Sequence, residues 1–346
     1  MKLITIGNNL CRIMVSDEYT ELAKILYELV ERDEKYDKVV IVTDENVEAN
    51  LYEDFVKSIF SITNSKYFSK ICIKPGEESK CLDTFNAFGG GVVGDLAGFV
   101  AATYMRGIDY IQVPTTILSQ VDSAIGGKTG IDVGVYKNMI GAFKQPLFTY
   151  INTETLKTLP SDELKSGFGE VIKYAAIMDD DGEFEKFLND NAVEVKCLDN
   201  EKIIKAIMKC AEFKARIVKA DERETGLRKI LNFGHTFGHA IEMEYGLKHG
   251  EAVAVGMKIA FKVALAKGYI KKDYYDNFVE IIDKYDFEFD FSKIDIEKLV
   301  ENIKKDKKNS FGEISVILPD ASSCVGIFKM SSDDIEELLK KEFNFM

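Results

Sequence analysis

The apolar pattern of this chain changes character near residue 160. Before that point, short β-branched runs alternate with segments of helical periodicity, a pattern typical of a parallel sheet covered by helices. The clearest strand-like runs are 39–43 and 110–114, and the helical segments are 19–31 and 47–59. After Ser161 the spacing is helical in 163–178, 202–219, 235–244, 251–266 and 274–285, with one strand-like run at 314–318.

This change predicts two domains, which a length of 346 residues also favours. We expect an α/β domain with a parallel, Rossmann-like sheet over 1–159 and a mainly α-helical domain over 160–346. The charge run at 304–308 is typical of a solvated helix end.

The charge balance excludes several classes of partner. The net charge is -13, so the surface as a whole repels nucleic acid and anionic membranes, and any anion site needs a local group of Lys and Arg. No apolar stretch approaches the ~20 residues of a membrane-spanning helix, so we expect a cytoplasmic protein without an anchor or export signal. The 6 cysteines are widely separated, which fits reduced thiols.

A glycine-rich turn at 89–95 (GGGVVGD) opens a predicted helix that runs to Tyr104. Glycine lets the backbone approach a ligand closely, and a helix N-terminus favours a pyrophosphate. A nucleotide site and a purely structural turn both fit, because the spacing is not GxGxxG. Asp44 directly follows the strand-like run 39–43, where an acidic side chain can bind a ribose, although a helix cap is its commoner role.

All 3 histidines of the chain fall between His235 and His249. Packing alone gives no reason for such clustering, so we expect a metal site. His235 and His239 are one helical turn apart, a spacing that zinc sites use. Glu170 is a candidate oxygen ligand because it stands among small and apolar residues, where an unpaired carboxylate is costly; a salt bridge to Lys173 is the alternative.

Several cations lie outside any obvious solvated face, and three of them, Arg106, Lys128 and Lys137, stand beside Gly or Asn in the sequence. Individually they fit surface positions, but together they predict a pocket for phosphate and carboxylate groups. They are Arg106, Lys128, Lys137, Lys173, Lys214 and Arg228.

These segments together resemble the dehydroquinate synthase family, whose members catalyse the second step of the shikimate pathway. The resemblance extends from residue 89 to residue 253, and weaker similarity lies on both sides. The matching motifs are 89–99 (GGGVVGDLAGF), 112–122 (QVPTTILSQVD), 126–129 (GGKT), 137–143 (KNMIGAF), 170–174 (EVIKY), 223–228 (RETGLR), 231–239 (LNFGHTFGH) and 249–253 (HGEAV).

The resemblance implies an NAD-binding α/β domain, a helical metal-binding domain and a homodimer. It also implies that Glu170, His235 and His249 hold one divalent metal, zinc or cobalt, and that His239 contacts substrate. This assignment replaces the metal-ligand pair His235 and His239 suggested by helical spacing. Three protein ligands leave positions open, as a catalytic metal requires.

The resemblance further implies two sets of binding residues. NAD would contact Asp44, Asn46, Glu77, Lys80, Gly90, Gly91, Val92, Asp95, Thr115, Thr116, Asp122, Lys137 and Asn138. The substrate, a small phosphorylated sugar acid, would meet Arg106, Asp122, Lys128, Asn138, Lys173, Lys214, Arg228, Asn232, His239 and either Lys307 or Lys308.

The implied enzyme is a carbon–oxygen lyase that converts 3-deoxy-arabino-heptulosonate 7-phosphate to 3-dehydroquinate and phosphate. The implied steps are transient oxidation by NAD, elimination of phosphate, reduction and intramolecular aldol cyclisation. Another sugar phosphate cyclase, a glycerol-type dehydrogenase with NAD and metal, and a binding protein that has lost turnover are the alternatives.

The chain departs from the family pattern between Lys80 and Gly89. Only the eight residues 81–88 stand there, whereas the family has about twenty more, a helix and a strand, as a parallel crossover requires. Either a strand is deleted or the printed sequence lacks residues; we favour the second, because loss of a central strand leaves backbone groups unpaired. Tyr136, in place of a usual Gly, and a short segment at 244–249 are smaller departures.

Overall fold

The computed structural model describes residues 4–8, 10–80, 90–134, 136–306, 313–320 and 324–343. Two units are present: unit 1 contains Met1–Pro160 and Ile203–Arg223, and unit 2 contains Ser161–Lys202 and Glu224–Met346. The sequence prediction put all of 160–346 in one domain, whereas 203–223 belongs to unit 1. No helix in the described ranges is long and apolar enough to cross a membrane.

Unit 1 alternates strands and helices over its first 160 residues. Its strands and helices are β1 (Ile4–Gly7), β2 (Arg12–Ser16), α1 (Thr20–Tyr27), β3 (Val39–Asp44), α2 (Glu45–Asn50), α3 (Tyr52–Phe60), β4 (Phe68–Ile73), α4 (Gly91–Thr103), β5 (Lys128–Val133), β6 (Tyr136–Phe143) and β7 (Thr149–Asn152).

Parallel pairing is present in unit 1, as predicted. Strand β3 pairs in parallel with β4, and β2 pairs in parallel with β7, while β1 is antiparallel to β2 and β5 and β6 form an antiparallel hairpin. The predicted strand at 110–114 is confirmed only in part: this segment joins the sheet through one parallel bridge, between Gln112 and Thr149, with backbone hydrogen bonds on both sides of Gln112. Pro114 cannot donate a ladder hydrogen bond, which limits this run.

Two apolar clusters hold unit 1 together. In the first, α1 and α3 pack on the strands through buried side chains such as Leu22, Phe55 and Tyr150. In the second, Leu96 and Phe99 of α4 pack with residues of β4 and β5. These apolar contacts fix the position of α4 and therefore of its glycine-rich first turn.

Unit 2 is mainly helical, as predicted. Its helices and strands are α5 (Ser161–Ile177), α6 (Glu183–Asp190), α7 (Ala192–Lys196), α9 (His235–Tyr245), α10 (His249–Ala266), α11 (Lys272–Lys284), α12 (Ile296–Asp306), β8 (Glu313–Pro319), β9 (Val325–Ser331) and α13 (Ser332–Phe343). Helix α8 (Asn200–Ala220) begins in unit 2, and its residues from 203 onward belong to unit 1.

Helix α10 is the centre of unit 2. Of its 18 residues, 13 are buried, so the helix is covered on every side and needs no polar face. The sequence predicted one strand near the end of this unit, but β8 pairs with a second strand, β9, in an antiparallel hairpin. Strand β9 was missed because most of its residues are half-buried or exposed, which leaves a weak apolar alternation.

Candidate active site

Three predicted metal ligands converge in unit 2. Glu170 lies on α5, His235 is the first residue of α9, and His249 is the first residue of α10. Oε1 of Glu170 lies 3.5 Å from Nε2 of His235 and 3.3 Å from Nε2 of His249. One ligand atom from each of the three residues lies within 4.8 Å of the others.

Close helix packing brings these residues together. A Cβ atom built on Gly169 would overlap the backbone of Gly250, and one built on Gly250 would overlap the carbonyl group of Ser166. The backbones of α5 and α10 are therefore in direct contact, which only glycine permits. Glu170 follows Gly169 and His249 precedes Gly250, so the contact positions both side chains.

Burial and neighbouring charges set the electrostatics of this cluster. Glu170 is fully buried, and the equally buried Lys173 forms an ion pair with it. This is the salt bridge that the sequence offered as the alternative role of Glu170. Burial lowers the pKa of His235 to about 3, against the effect of Glu170. Burial also disfavours a charged His249, but hydrogen bonds to Glu170 and Glu242 outweigh it and raise the pKa of His249 to about 10.

The donor set fits a divalent transition metal. One carboxylate oxygen and two imidazole nitrogens form the three-ligand set of catalytic zinc sites, and cobalt accepts the same donors. A second group, His239, Glu242 and His249, also brings its ligand atoms within 4.8 Å. The rings of His235 and His239 are adjacent, with centroids 5.4 Å apart, yet neither grouping among the described residues combines them as ligands.

Unit 2 also holds several predicted substrate residues. His239 lies on α9 next to both other imidazoles, its ring centroid 6.0 Å from that of His249. Arg228 is buried in a 3₁₀ turn, Leu227–Asn232, which precedes α9. At the end of this turn Asn232 donates a hydrogen bond of 2.8 Å to Oε1 of Glu224, which fixes its amide.

In unit 1 the glycine-rich turn opens a helix, as predicted. Helix α4 begins at Gly91 with Gly90 as its N-cap, and Val92 in the first turn is half-buried. A Cβ atom on Gly90 would lie 3.4 Å from the methyl group of Thr116, and one on Gly91 would lie 3.1 Å from Oγ of Ser123. Side chains at these positions would fill the space beside Thr116.

Four predicted NAD contacts form one network around Lys80. This lysine is buried and lies 2.8 Å from Oδ2 of Asp95 and 3.6 Å from Oε1 of Glu77. It also donates a 2.6 Å hydrogen bond to Oδ1 of Asn138, a residue held at a positive φ of 55°. Burial opposes the charge, but Asp95 and Glu77 outweigh it and raise the pKa of Lys80.

Other predicted residues of unit 1 lie on separate elements. Asp122 accepts a 2.8 Å hydrogen bond from Nζ of Lys214, whose segment of α8 belongs to this unit. Lys128 and Lys137 are exposed on the β5–β6 hairpin. Arg106 is exposed on a turn of positive φ that Met105 begins and Gly107 ends.

Asp44 has the capping role that its position favoured. Its Oδ1 accepts a hydrogen bond of 2.9 Å from the backbone N–H of Val47, so it caps α2, the helix that contains Asn46. Burial raises the pKa of Asp44. A small recess beside it is lined by Thr43, Val47, Thr115 and neighbouring apolar side chains.

Three groups at the histidine cluster were missed in the sequence. Glu242 accepts a hydrogen bond from Nδ1 of His249, the carbonyl group of Phe233 faces Nδ1 of His235, and Glu224 holds Asn232. Glu242 had a detectable signal, because it stands seven residues after His235 and three after His239 and so shares their helix face. Lys307, Lys308 and the short segment 81–88 lie outside the described residues.

Comparisons with known proteins found matches in both units. Models of the 3-dehydroquinate synthase N-terminal and C-terminal regions match residues 69–166 and 167–309. A 3-dehydroquinate synthase from Alkaliphilus metalliredigens (strain QYMF) is 44% identical over 304 residues, covering 82% of this chain and 84% of that protein.

Solved structures share the fold at lower identity. A 2-deoxy-scyllo-inosose synthase, complexed with carbaglucose-6-phosphate, NAD+ and Co2+, has a TM-score of 0.82 at 22% identity and covers 99% of this chain and 100% of its own. ValA, a 2-epi-5-epi-valiolone synthase from Streptomyces hygroscopicus subsp. jinggangensis 5008 with NAD+ and Zn2+ bound, has a TM-score of 0.82 at 20% identity over 100% of both chains.

Proposed function

The chain belongs to the 3-dehydroquinate synthase family, and from this we propose that it converts 3-deoxy-arabino-heptulosonate 7-phosphate to 3-dehydroquinate and phosphate. The observation that carries the proposal is the convergence of Glu170, His235 and His249, one carboxylate and two imidazoles, within 4.8 Å. Relatives named 3-dehydroquinate synthase at 38–44% identity favour this activity over a glycerol-type dehydrogenase or a binding protein without turnover.

We propose that these three residues hold one divalent ion, zinc or cobalt, and that the chain uses NAD. Structural neighbours with NAD+ and Co2+ or Zn2+ bound support both cofactors. When bound, the ion supplies Lewis-acid polarisation of a substrate hydroxyl and NAD supplies a reversible hydride acceptor. The oxidation is transient, so no net NADH accumulates.

In unit 2, the residues around the ligand cluster are proposed to bind and orient the substrate. Lys173 and Arg228 are buried cations, suited to fixed carboxylate or phosphate groups. Asn232 presents an amide that Glu224 orients, and His239 lies beside the other two imidazoles. Fixed donors of this kind require little reorganisation during the reaction.

Five residues of unit 1 also belong to the proposed substrate set: Asp122, Lys128, Asn138, Lys214 and Arg106. Lys307 or Lys308 is its remaining member. The network of Lys80 with Glu77, Asp95 and Asn138 supports a role in NAD binding, because a buried cation beside the glycine-rich helix start suits an anionic dinucleotide. The proposed NAD set also keeps Asp44, Asn46, Gly90, Gly91, Val92, Thr115, Thr116, Asp122 and Lys137.

We also propose a cytoplasmic homodimer and retain the domain division at 159/160, with 203–223 added to the first domain. Large apolar side chains are exposed on β6, among them Met139 at 54% and Phe143 at 39% of full exposure. Met105, beyond α4, is exposed as well. Exposed apolar groups of this size are typical of protein interfaces.

The test is phosphate release from 3-deoxy-arabino-heptulosonate 7-phosphate, with NAD and metal and then with chelator. The intact protein should release phosphate without net NADH, and chelator should stop the reaction. His235→Ala removes one of three ligands and should abolish metal retention and turnover together. Net NADH without phosphate release would indicate a dehydrogenase, and a His235→Ala protein with full metal content would refute the ligand assignment.

A further inference from the structure

Each of the two imidazoles in the proposed metal site is held at the nitrogen that faces away from Glu170. Nδ1 of His235 lies 3.1 Å from the carbonyl oxygen of Phe233. Nδ1 of His249 lies 3.2 Å from Oε2 of Glu242. Their Nε2 atoms are the ones that face Oε1 of Glu170, at 3.5 and 3.3 Å. Both rings therefore turn Nε2 toward Glu170, but their Nδ1 atoms have different partners.

These partners determine which ring nitrogen can bind a metal. A carbonyl oxygen and a carboxylate accept hydrogen bonds and cannot donate them, so each Nδ1 carries the proton. A metal-ligating imidazole uses the nitrogen that has no proton, and its other N–H usually donates to a carboxylate or a carbonyl group. His249 has the carboxylate partner, which is the stronger acceptor.

The chain around Glu242 is built to keep this contact. His235, His239 and Glu242 lie on one face of α9, and Gly246 ends the helix in a left-handed conformation with φ 65°. Only residues 246–248 separate α9 from α10, so Glu242 and His249 are fixed by one short helical hairpin. Glu244, on the same helix, instead lies 3.1 Å from Nζ of Lys298.

Glu242 could also bind a metal directly, because His239, Glu242 and His249 form the second cluster of ligand atoms. The deeper burial of Glu170 favours the cluster of Glu170, His235 and His249 as the metal site. Glu170 is fully buried, whereas His239, Glu242 and His249 are each half-buried. A buried carboxylate gains most from a neighbouring cation, because water cannot solvate it.

We propose that Glu242 is the positioning residue for His249: its carboxylate accepts the Nδ1–H of the imidazole and holds Nε2 toward Glu170. This inference rests on the proposed metal site and adds a residue that no motif pointed to. Glu242 does not contact the reacting groups in this assignment. It acts by keeping the ligand in one tautomer and one ring orientation.

The experiment compares Glu242→Ala, Glu242→Gln and the matched control Glu244→Gln in the full chain. Metal-free proteins are titrated with Co2+ in competition with a chelator, and the visible absorption of bound Co2+ is recorded at saturation. Glu242→Ala should weaken Co2+ binding about 10- to 100-fold. Glu242→Gln retains an acceptor oxygen and should fall between Glu242→Ala and the intact protein. Glu244→Gln should bind as the intact protein does.

The absorption spectrum of bound Co2+ shows whether Glu242 positions His249 or binds the metal itself. If Glu242 only positions His249, the saturated Glu242→Ala protein keeps the band positions and intensities of the intact protein. Unchanged affinity in both Glu242 variants would overturn the inference, and so would a spectrum altered at saturation, because Glu242 would then be a ligand. Should Glu242→Ala fail to fold, the same comparison is made between Glu242→Gln and the intact protein. If the intact protein fails to bind Co2+, the proposed metal site itself is refuted.

Discussion

At the residue scale, both units keep lysines out of water by pairing them with carboxylates. Lys173 and Glu170 are buried together in unit 2, and Lys80 is buried beside Asp95 in unit 1. A buried charge without a partner costs several kcal/mol, so each lysine needs its acid in the absence of ligand. The same cations are then in place for anionic ligands, which a net charge of -13 would otherwise repel.

The two proposed imidazole ligands differ in their protonation before metal binds. The pKa of His249 is raised to about 10, so this ring holds an extra proton at pH 7, whereas the pKa of His235, lowered to about 3, leaves that ring neutral. Metal binding should therefore release about one proton at pH 7, and metal affinity should fall roughly tenfold for each pH unit below 10.

Calorimetry of Zn2+ binding in two buffers of different ionisation enthalpy measures this release. Release of two protons would mean that His235 is also charged in the metal-free protein. Release of none would mean that His249 is neutral there. Either result would contradict the two pKa directions.

At the element scale, the site depends on how closely α5 and α10 approach each other. Gly169 and Gly250 put backbone against backbone, and the N–H of Gly250 donates a 3.0 Å hydrogen bond to Oγ of Ser166. Glu170 and His249 flank this contact. Any side chain at the crossing must push the helices apart and with them two of the three proposed ligands.

Gly250→Ala tests this dependence. The added methyl group would overlap the carbonyl group of Ser166, so we expect a loss of about 2 kcal/mol in the free energy of unfolding and a marked loss of Co2+ affinity. Denaturant unfolding and chelator competition measure the two effects.

Gly182→Ala is the matched control for this substitution. Its φ is 76° and its Cβ would meet no atom within 4 Å, so the cost is backbone strain alone, about 1 kcal/mol. Its Co2+ affinity should not change. Equal metal affinity in the two variants would show that the crossing does not position the ligands.

At the scale of the whole molecule, unit 1 is not continuous in sequence. Residues 203–223 belong to it, including the apolar residues Ile207 and Phe213. Within the unit, Asn8 donates a 2.9 Å hydrogen bond to the carbonyl group of Ala215, and Lys214 binds Asp122. The first 160 residues alone therefore lack contacts that unit 1 makes with 203–223.

A fragment of residues 1–160 should lack a cooperative thermal transition, because it lacks the 203–223 segment that belongs to the same unit. The same fragment joined to 203–223 by a flexible glycine–serine linker should regain a cooperative transition and NAD binding. Circular dichroism on heating and a nucleotide-binding titration measure both. Cooperative unfolding of the 1–160 fragment without the added segment would show that unit 1 is complete before α8.

Much of this protein followed from local patterns in its sequence. Helical spacing predicted helices α5, α9, α10 and α11 of unit 2 to within about two residues at each end, because a buried helix face repeats every three to four positions. Helices α6, α7, α12 and α13 had no predicted bounds. Strand β3 and helix α4 were found in the same way. The clustering of all the histidines indicated a metal site from side-chain chemistry alone, since carboxylates and imidazoles are the ligands that zinc and cobalt prefer.

Contacts between distant segments required the tertiary structure. Helical spacing alone paired His235 with His239, but Glu170 lies 65 positions before His235, and only the α5–α10 crossing brings it to His249. The same limit hid the place of 203–223 in unit 1. Local periodicity records which face of an element is buried, whereas the partner of that face is decided by packing across the whole chain.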